Sequence, residues 1–222
     1  MSNPRKEILA NGETYHVYNK SVGGLDIFYT KRDLNRALDL IDFYRYLPNL
    51  KFSRFKRLSK ELRKSFILEL RNQNPLVELY SFSFMYNHYH LLLRQIQDRG
   101  ISIFVSNFQN GFAKYFNKKN ERLGSLFIRP FKGKRIVSEE ILVHVSRYIH
   151  LNPVTSFLSN YESLHADSRT SFPYYHSEKD GNLVNTKPIL NLMGSVEKYE
   201  EFIKNQVDYQ RKLHILKKYL LE

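Results

Sequence analysis

Two runs of β-forming residues, Val77 to Met85 (VELYSFSFM) and His88 to Gln95 (HYHLLLRQ), are separated only by Tyr86-Asn87, and no other feature narrows the fold of this chain so much. Aromatic and branched residues in two such runs, joined by so short a connection, predict a hairpin. A third run, Thr14 to Ser21 (TYHVYNKS), alternates and meets Gly23-Gly24, as a first strand and its turn would. Between these strands, Asp33 to Tyr46 sets Leu34, Ala37, Leu38, Ile41 and Tyr44 at helical spacing, with Pro48 as the stop. After the hairpin, Ile101 to Lys119 brings Ile103, Phe104, Phe108, Phe112, Tyr115 and Phe116 round at three-to-four spacing, the other face being basic. Leu123 to Val137 is punctuated by Gly and Pro and reads as a strand or loop. A helix is then predicted from Ser138, with Glu139 and Glu140 in its first turn, to Leu151, where Asn152-Pro153 should end it. The order strand, helix, strand, strand, helix predicts an α+β fold: a ferredoxin-like or RRM-like antiparallel sheet with helices packed on it. Residues 1–160 are expected to form this domain. Residues 161–222, irregular to about Thr186 and helical from Ser195 to Leu220, are expected to pack on it as a C-terminal helical extension.

Composition narrows the chemistry. The 222 residues are 42% hydrophobic and 14% aromatic, enough apolar material for a packed interior. Lys and Arg number 35 against 22 Asp and Glu, a net charge of +13, and such an excess implies a polyanionic partner, of which nucleic acid is the commonest. The basic stretch from Lys51 to Arg71 is either a nucleic-acid-facing insertion or a solvated helix. No run of about 18 apolar residues is present and the N-terminus has no apolar signal core, so no membrane partner and a cytoplasmic location are expected. With no cysteine, disulfides, thiolate nucleophiles and Cys-based zinc sites are all excluded. Any metal must be held by His and oxygen ligands.

The sharpest local pattern is His88-Tyr89-His90 within an apolar strand. Side chains at i and i+2 leave the same sheet face with Cα atoms roughly 7 Å apart, close enough for two imidazoles to share one cation. Imidazole suits Mn, Zn and Fe, while Mg asks for added oxygen ligands. The competing reading is two half-buried strand histidines satisfied by hydrogen bonds. In HVSRYIHLNPV, His144, Tyr148 and Asn152 fall four residues apart on one helical face. A tyrosine hydroxyl can attack a phosphodiester, and a carboxamide oxygen can join a metal's ligands. The competing reading is a packing tyrosine and an Asn-Pro helix terminus.

Taken together, HVYNKS, FSFMYNHYHLLL, SNFQNGFAKYFNKKNERLGSLFIRPFKGKRI and RYIHLNPV resemble the single-tyrosine HUH transposases, most closely their REP-associated tyrosine transposase branch, over roughly residues 14–160. The resemblance implies that His88 and His90 are the histidine pair of the family motif, that Tyr148 is the nucleophile and that Asn152 is the third metal ligand, with Mg or Mn as the divalent cofactor. It implies a nick in single-stranded DNA, a new 5′ end held on tyrosine, a free 3′-OH, and rejoining without external energy, on DNA bearing a hairpin. His16, in the first strand, is a candidate to approach the metal or the scissile phosphate. His150 should face about 160° away from Tyr148 on an ideal helix and serve structure. Tyr115 is a rival nucleophile whose apolar surroundings favour packing. A basic cleft for the strand is expected from Lys114, Lys118, Arg122, Arg129, Lys132, Lys134 and Arg135, with bases stacked on exposed aromatics. Two other classes remain open: a non-catalytic regulator binding hairpin DNA or RNA, and a metal-dependent phosphodiesterase using activated water. The sequence leaves monomer and homodimer undecided.

Overall fold

The computed structural model describes residues 8–176 and 183–208. Strands β1 (Thr14–Lys20), β2 (Val77–Phe84), β3 (His88–Gln95) and β4 (Lys132–Arg135) form one antiparallel sheet in the order β2-β3-β1-β4. The helix between β1 and β2, α1 (Lys31–Tyr44), begins where Thr30 and Asp33 cap each other, a reciprocal bond that satisfies two free backbone donors. Two shorter helices follow it, α2 (Phe52–Phe55) and α3 (Lys60–Arg71), and the helix between β3 and β4 is α4 (Gly100–Lys119). With α1 and α4 in those places, the strand order is that of a ferredoxin-like βαββαβ unit, as expected.

The pleat divides the sheet into two faces. Tyr15, Val17, Tyr89, Leu91, Phe82 and Phe84 are buried on one. There the α4 residues Phe104, Phe108 and Phe112 join Phe28, Phe84 and Tyr89 in a single aromatic core. Each such ring, fully enclosed, contributes roughly 1.5–3 kcal/mol by removal from water. The two helices on this face are also tied by charge: buried Asp33 on α1 accepts from Lys119 Nζ at 2.8 Å and Tyr115 OH at 2.8 Å on α4. Burial pushes the Asp33 carboxyl up, yet the bonds from Lys119, Thr30 and Tyr115 outweigh it and hold the group below its ordinary value. At the start of α4, a Cβ on Gly100 would lie 2.2 Å from the Leu76 carbonyl oxygen, so only glycine lets the helix begin against that loop.

The basic 51–71 segment is an amphipathic cover for α1. Phe52, Phe55 and Leu70 are buried, the ring of Phe66 lies against Phe55 and Phe43, and Lys56 and Arg71 pair with Asp39 and Asp42 of α1.

The other sheet face carries α5 (Glu139–Thr155), laid over β2 and β3. Ser138 caps it, as the sequence predicts, by accepting from Ile141 N. The predicted stop at Leu151 is corrected: the helix passes through Pro153 to Thr155. A proline this close to the end removes only the ladder bond to the Ile149 carbonyl and leaves only the last turn beyond it, where the Asn152 carbonyl accepts from Ser156 N and Thr155 Oγ1. A bulge between Leu79 and Ser81 sends Ser81 and Ser83 to this face. Their small side chains admit the helix closely, and Ser81 Oγ meets Ser146 Oγ at 3.1 Å.

Behind α5 lie a 3-10 turn (Glu162–Ala166), α6 (Pro173–His176), α7 (Lys187–Met193) and α8 (Val196–Lys204). The helix predicted from Ser195 is broken by a turn at Asn205 and Gln206, Asn being a residue that favours caps and turns over helix interiors, and is helical again at Val207 and Asp208; the remainder of that expectation beyond Asp208 lies outside the described residues. Among the described residues, no helix is long and apolar enough to cross a membrane.

Candidate active site

Register decides which side chains meet. Tyr18 pairs with His90, Lys20 with His88 and His16 with Leu92 across β1 and β3, while Lys134 and Lys132 of β4 stand opposite His16 and Tyr18. Hence His16, Tyr18, His88, His90, Lys132 and Lys134 all share the face on which α5 lies. The helix covers the β2-β3 half, leaving the β1-β4 half beside its edge.

At that edge the predicted residues converge. The rings of His88 and His90 are 5.2 Å apart between centroids and nearly perpendicular. Tyr148 presents its ring edge-on to both His90, at 5.6 Å, and His16, at 6.0 Å. Tyr148 remains 39% exposed, whereas Asn152, one turn later, is buried. The Asn152 amide nitrogen donates to Ser83 Oγ at 3.5 Å, so its oxygen is the atom not committed to that bond. His16 is closer to the pair than expected: its Nε2 lies 2.8 Å from His90 Nδ1.

The hydrogen bonds fix how the imidazoles can act. Asn87 Nδ2 donates to the Gly24 carbonyl, so Asn87 Oδ1 faces His88 Nδ1 at 2.7 Å. An amide oxygen only accepts, so His88 carries its proton on Nδ1 and keeps a lone pair on Nε2. His90 attains the same form when its Nδ1 donates to His16 Nε2. Burial lowers all three rings: His88 with help from Lys20, His90 well below its ordinary value with His16 and His88 adding to the effect, and His16 to about 4 with Lys134 beside it. Neutral imidazoles with free lone pairs and a neighbouring carboxamide oxygen are a donor set that fits a divalent cation, Mn more readily than Mg unless water and phosphate oxygens complete the shell. Burial also pushes the Tyr148 phenol above its ordinary value, with a hydrogen bond to Asn152 opposing the rise.

The remaining sequence candidates separate. His144 is exposed, receives Arg147 Nη2 at 2.8 Å and stacks edge-on against Phe202, away from the group. His150 points to the rear of α5, as helical geometry requires, where it meets Ser171 Oγ and Tyr199 OH. Tyr115 belongs to the opposite sheet face, where burial and Asp33 push its phenol up to about 12. The basic residues fall on more than one surface. Lys132 and Lys134 are exposed beside the imidazoles. Lys114, Arg122 and Arg129 line a depression of about 550 Å³, and Lys114 and Lys118 line a groove of about 800 Å³ with Arg32, Arg36 and Lys51. Arg122 is engaged by Asn117 and Ser125, and Arg135 forks onto Glu13 at 2.6 Å. The single cleft expected from residues 114–135 is therefore divided by the sheet, because α4 packs on the face opposite the histidines.

Three residues of the group were not singled out in the sequence. Tyr18 stacks at 5.7 Å on His90 and 5.0 Å from His16, a place its i+2 spacing from His16 already implied. Asn87 reads only as a turn residue, and the Ser83 contact depends on the bulge in β2, for which the sequence carries no signal.

Fold and site together define the molecule by its geometry: a ferredoxin-like sheet whose half-open face gathers three imidazoles, a carboxamide and a helix-borne phenol. No family model matches the chain, and neither does any curated protein. A solved structure of a REP-associated tyrosine transposase bound to a REP hairpin is similar, with a TM-score of 0.52 and 14% identity over 84% of this chain and 90% of that one. At this identity the likeness establishes a shared fold.

Proposed function

We propose that this chain is a divalent-metal-dependent enzyme that nicks and rejoins single-stranded DNA through Tyr148, acting on DNA that carries a hairpin. The observation that supports it most is the approach of a half-exposed phenol, edge-on, to His90 and His16 from a different element of the chain. The hairpin preference draws on the distant structural relative, which was solved with one.

In this reading Tyr148 Oη attacks the scissile phosphorus in line. A tyrosine–phosphate ester forms at the new 5′ end, the bond from phosphorus to the 3′ oxygen breaks, the phenol gives up its proton and the departing 3′ oxygen takes one up. Attack of a 3′-OH on that ester reverses the step, and because one phosphate ester replaces another no outside energy is consumed. Mg or Mn held by His88, His90 and Asn152 would neutralise charge on a non-bridging phosphate oxygen. His16 and Asn87 hold the two histidine rings with their lone pairs free, Lys132 and Lys134 draw the backbone to the β4 side, and Tyr18 offers a ring face for stacking. A phenol is protonated at neutral pH, so Tyr148 must lose its proton as it attacks.

The test is a denaturing gel with hairpin DNA labelled at one end or the other, incubated with Mn. A covalent protein adduct carrying the 3′ label is expected, absent in Tyr148→Phe and lost in His88→Ala. Cleavage that persists in Tyr148→Phe would replace this reading with attack by activated water. Intact DNA with tight, metal-independent binding would reduce the protein to a nucleic-acid binder.

A further inference from the structure

We propose that His165, His176 and Glu200 form a second metal site, for a transition-metal dication of the zinc class, on the side of α5 turned away from Tyr148. The three residues come from the 3-10 turn Glu162–Ala166, from the end of α6 and from α8, and one donor atom of each lies within 4.8 Å of the other two. His165 Nε2 is already 3.1 Å from Glu200 Oε1, and the two histidine rings are 4.6 Å apart between centroids. Among the described residues, His176 Nε2 is buried with no hydrogen-bond partner. A buried ring nitrogen without a partner is uncommon in a folded protein and is the feature a bound cation accounts for.

Two imidazoles and a carboxylate are a ligand set that zinc accepts, with a water in the fourth position. Bonds of roughly 2.0–2.2 Å in a tetrahedron hold donors about 3.4 Å apart, so the His165–Glu200 pair is near its bound spacing and the widest pair must close by about an ångström and a half. Side-chain rotation suffices for that. His165 and Glu200 are part-exposed, at 41% and 35%, so a cation can enter and water can complete its shell. Magnesium, which prefers oxygen donors, is a poor match, and this separates the site from the Mg or Mn proposed at His88 and His90.

The consequence is mechanical. Glu200 lies next to Tyr199, whose hydroxyl bonds His150 Nδ1 at 2.9 Å and also Ser146, both on α5. His165 and His176 both pack on Phe172, whose ring faces His150. A metal at this point ties the elements behind α5 to one another and so fixes the backing of the helix that carries Tyr148 and Asn152.

The test uses full-length protein stripped by a chelator and carrying His88→Ala and His90→Ala, so that the other imidazole pair is gone. Titration with zinc chloride alone is followed by calorimetry and thermal melting. One zinc per chain is expected, with Tm raised by about 5–10 °C at a hundredfold excess over Kd. Adding His165→Ala or Glu200→Gln should abolish both effects, and magnesium should produce neither. Zinc binding that survives both substitutions, or no zinc binding in the starting variant, overturns the proposal. Should the starting variant not fold, anomalous scattering at the zinc edge from wild-type crystals decides: a peak bonded to His165, His176 and Glu200 supports the site, and its absence overturns it. Neither result bears on the Tyr148 adduct, which is read in a separate assay.

Discussion

Replacing Asn87 by alanine should weaken metal binding at His88 and His90 while leaving every proposed ligand in place. The Asn87 amide is fixed by its bond to the Gly24 carbonyl at 3.3 Å, and its oxygen accepts the His88 Nδ1 proton at 2.7 Å. That bond keeps the His88 lone pair on Nε2 and restrains the ring; without it, the ring is free to rotate and to exchange tautomers. Loss of such an outer partner typically lowers metal affinity about 10–100-fold, or about 1.4–2.7 kcal/mol. Two hydrogen bonds lost from a half-buried turn cost the fold about 1–3 kcal/mol, which leaves the protein folded at room temperature if its stability is ordinary. Asn87→Asp, whose carboxylate accepts the same proton more strongly, should retain or improve affinity. The assay is Mn titration by electron paramagnetic resonance, in which the free ion gives the signal, on protein carrying His165→Ala to silence the other cluster. An Asn87→Ala protein that is folded by circular dichroism and binds Mn as tightly as its parent would refute the assignment of the His88 tautomer and, with it, the fit of the site to a metal.

Three further outcomes follow from the same structure. Gly100→Ala would set a methyl 2.2 Å from the Leu76 oxygen, and overpacking of this kind costs about 1–3 kcal/mol, so Tm should fall by roughly 2–12 °C; an unchanged melting point would show that the α4 start is laxer than the structure implies. Burial, with His176 adding to it, holds His150 down to about 3 from 6.5, so the unfolded chain takes up a proton that the native one does not. Its stabilisation is complete above pH 6.5 and is lost as pH falls from there toward 3, at about 1.4 kcal/mol per pH unit. Urea unfolding should therefore lose about 2 kcal/mol more between pH 7 and 5 in the parent than in His150→Gln, and equal losses would contradict the burial argument. Finally, Lys132→Ala with Lys134→Ala should flatten the salt dependence of single-stranded DNA binding by about 1.4 in the logarithmic slope, two phosphate contacts' worth; an unaltered slope would move the DNA path elsewhere.

How much of this was legible in the sequence depended on the range of the physics involved. Period-two and period-3.6 patterns are local, so Thr14–Lys20, Val77–Phe84, His88–Gln95 and the helix ending at Lys119 stand close to where alternation and helical spacing put them. The same local rule put His88 and His90 on one face and His150 on the far side of its helix. Pairing across elements is not local. The sequence does not say that Lys134 stands opposite His16, that Ser83 faces Asn152, or that α4 takes its cations to the opposite side of the sheet from the histidines. His165, His176 and Glu200 stayed invisible for that reason, since 35 residues and three elements separate donors that end within 4.8 Å.

The length of α5 shows why the local rule that failed matters most to the site. Asn-Pro predicts a helix end, and had the chain left the helix at Leu151, Asn152 would have lost the i, i+4 relation to Tyr148. One tertiary contact and one local one oppose that outcome: Asn152 reaches Ser83 on β2, and the Asn152 carbonyl is held by Thr155 Oγ1 and Ser156 N at the end of the same helix. The extra turn keeps phenol and carboxamide one above the other on the side facing the sheet, close enough for the hydrogen bond that moderates the Tyr148 phenol. Pro153 is tolerated because only one turn follows it, and its rigid ring limits how far that turn can unwind. A residue that reads as a terminator thus serves as a stop placed one turn later, and that displacement keeps the proposed nucleophile and the proposed third ligand on one face of one helix.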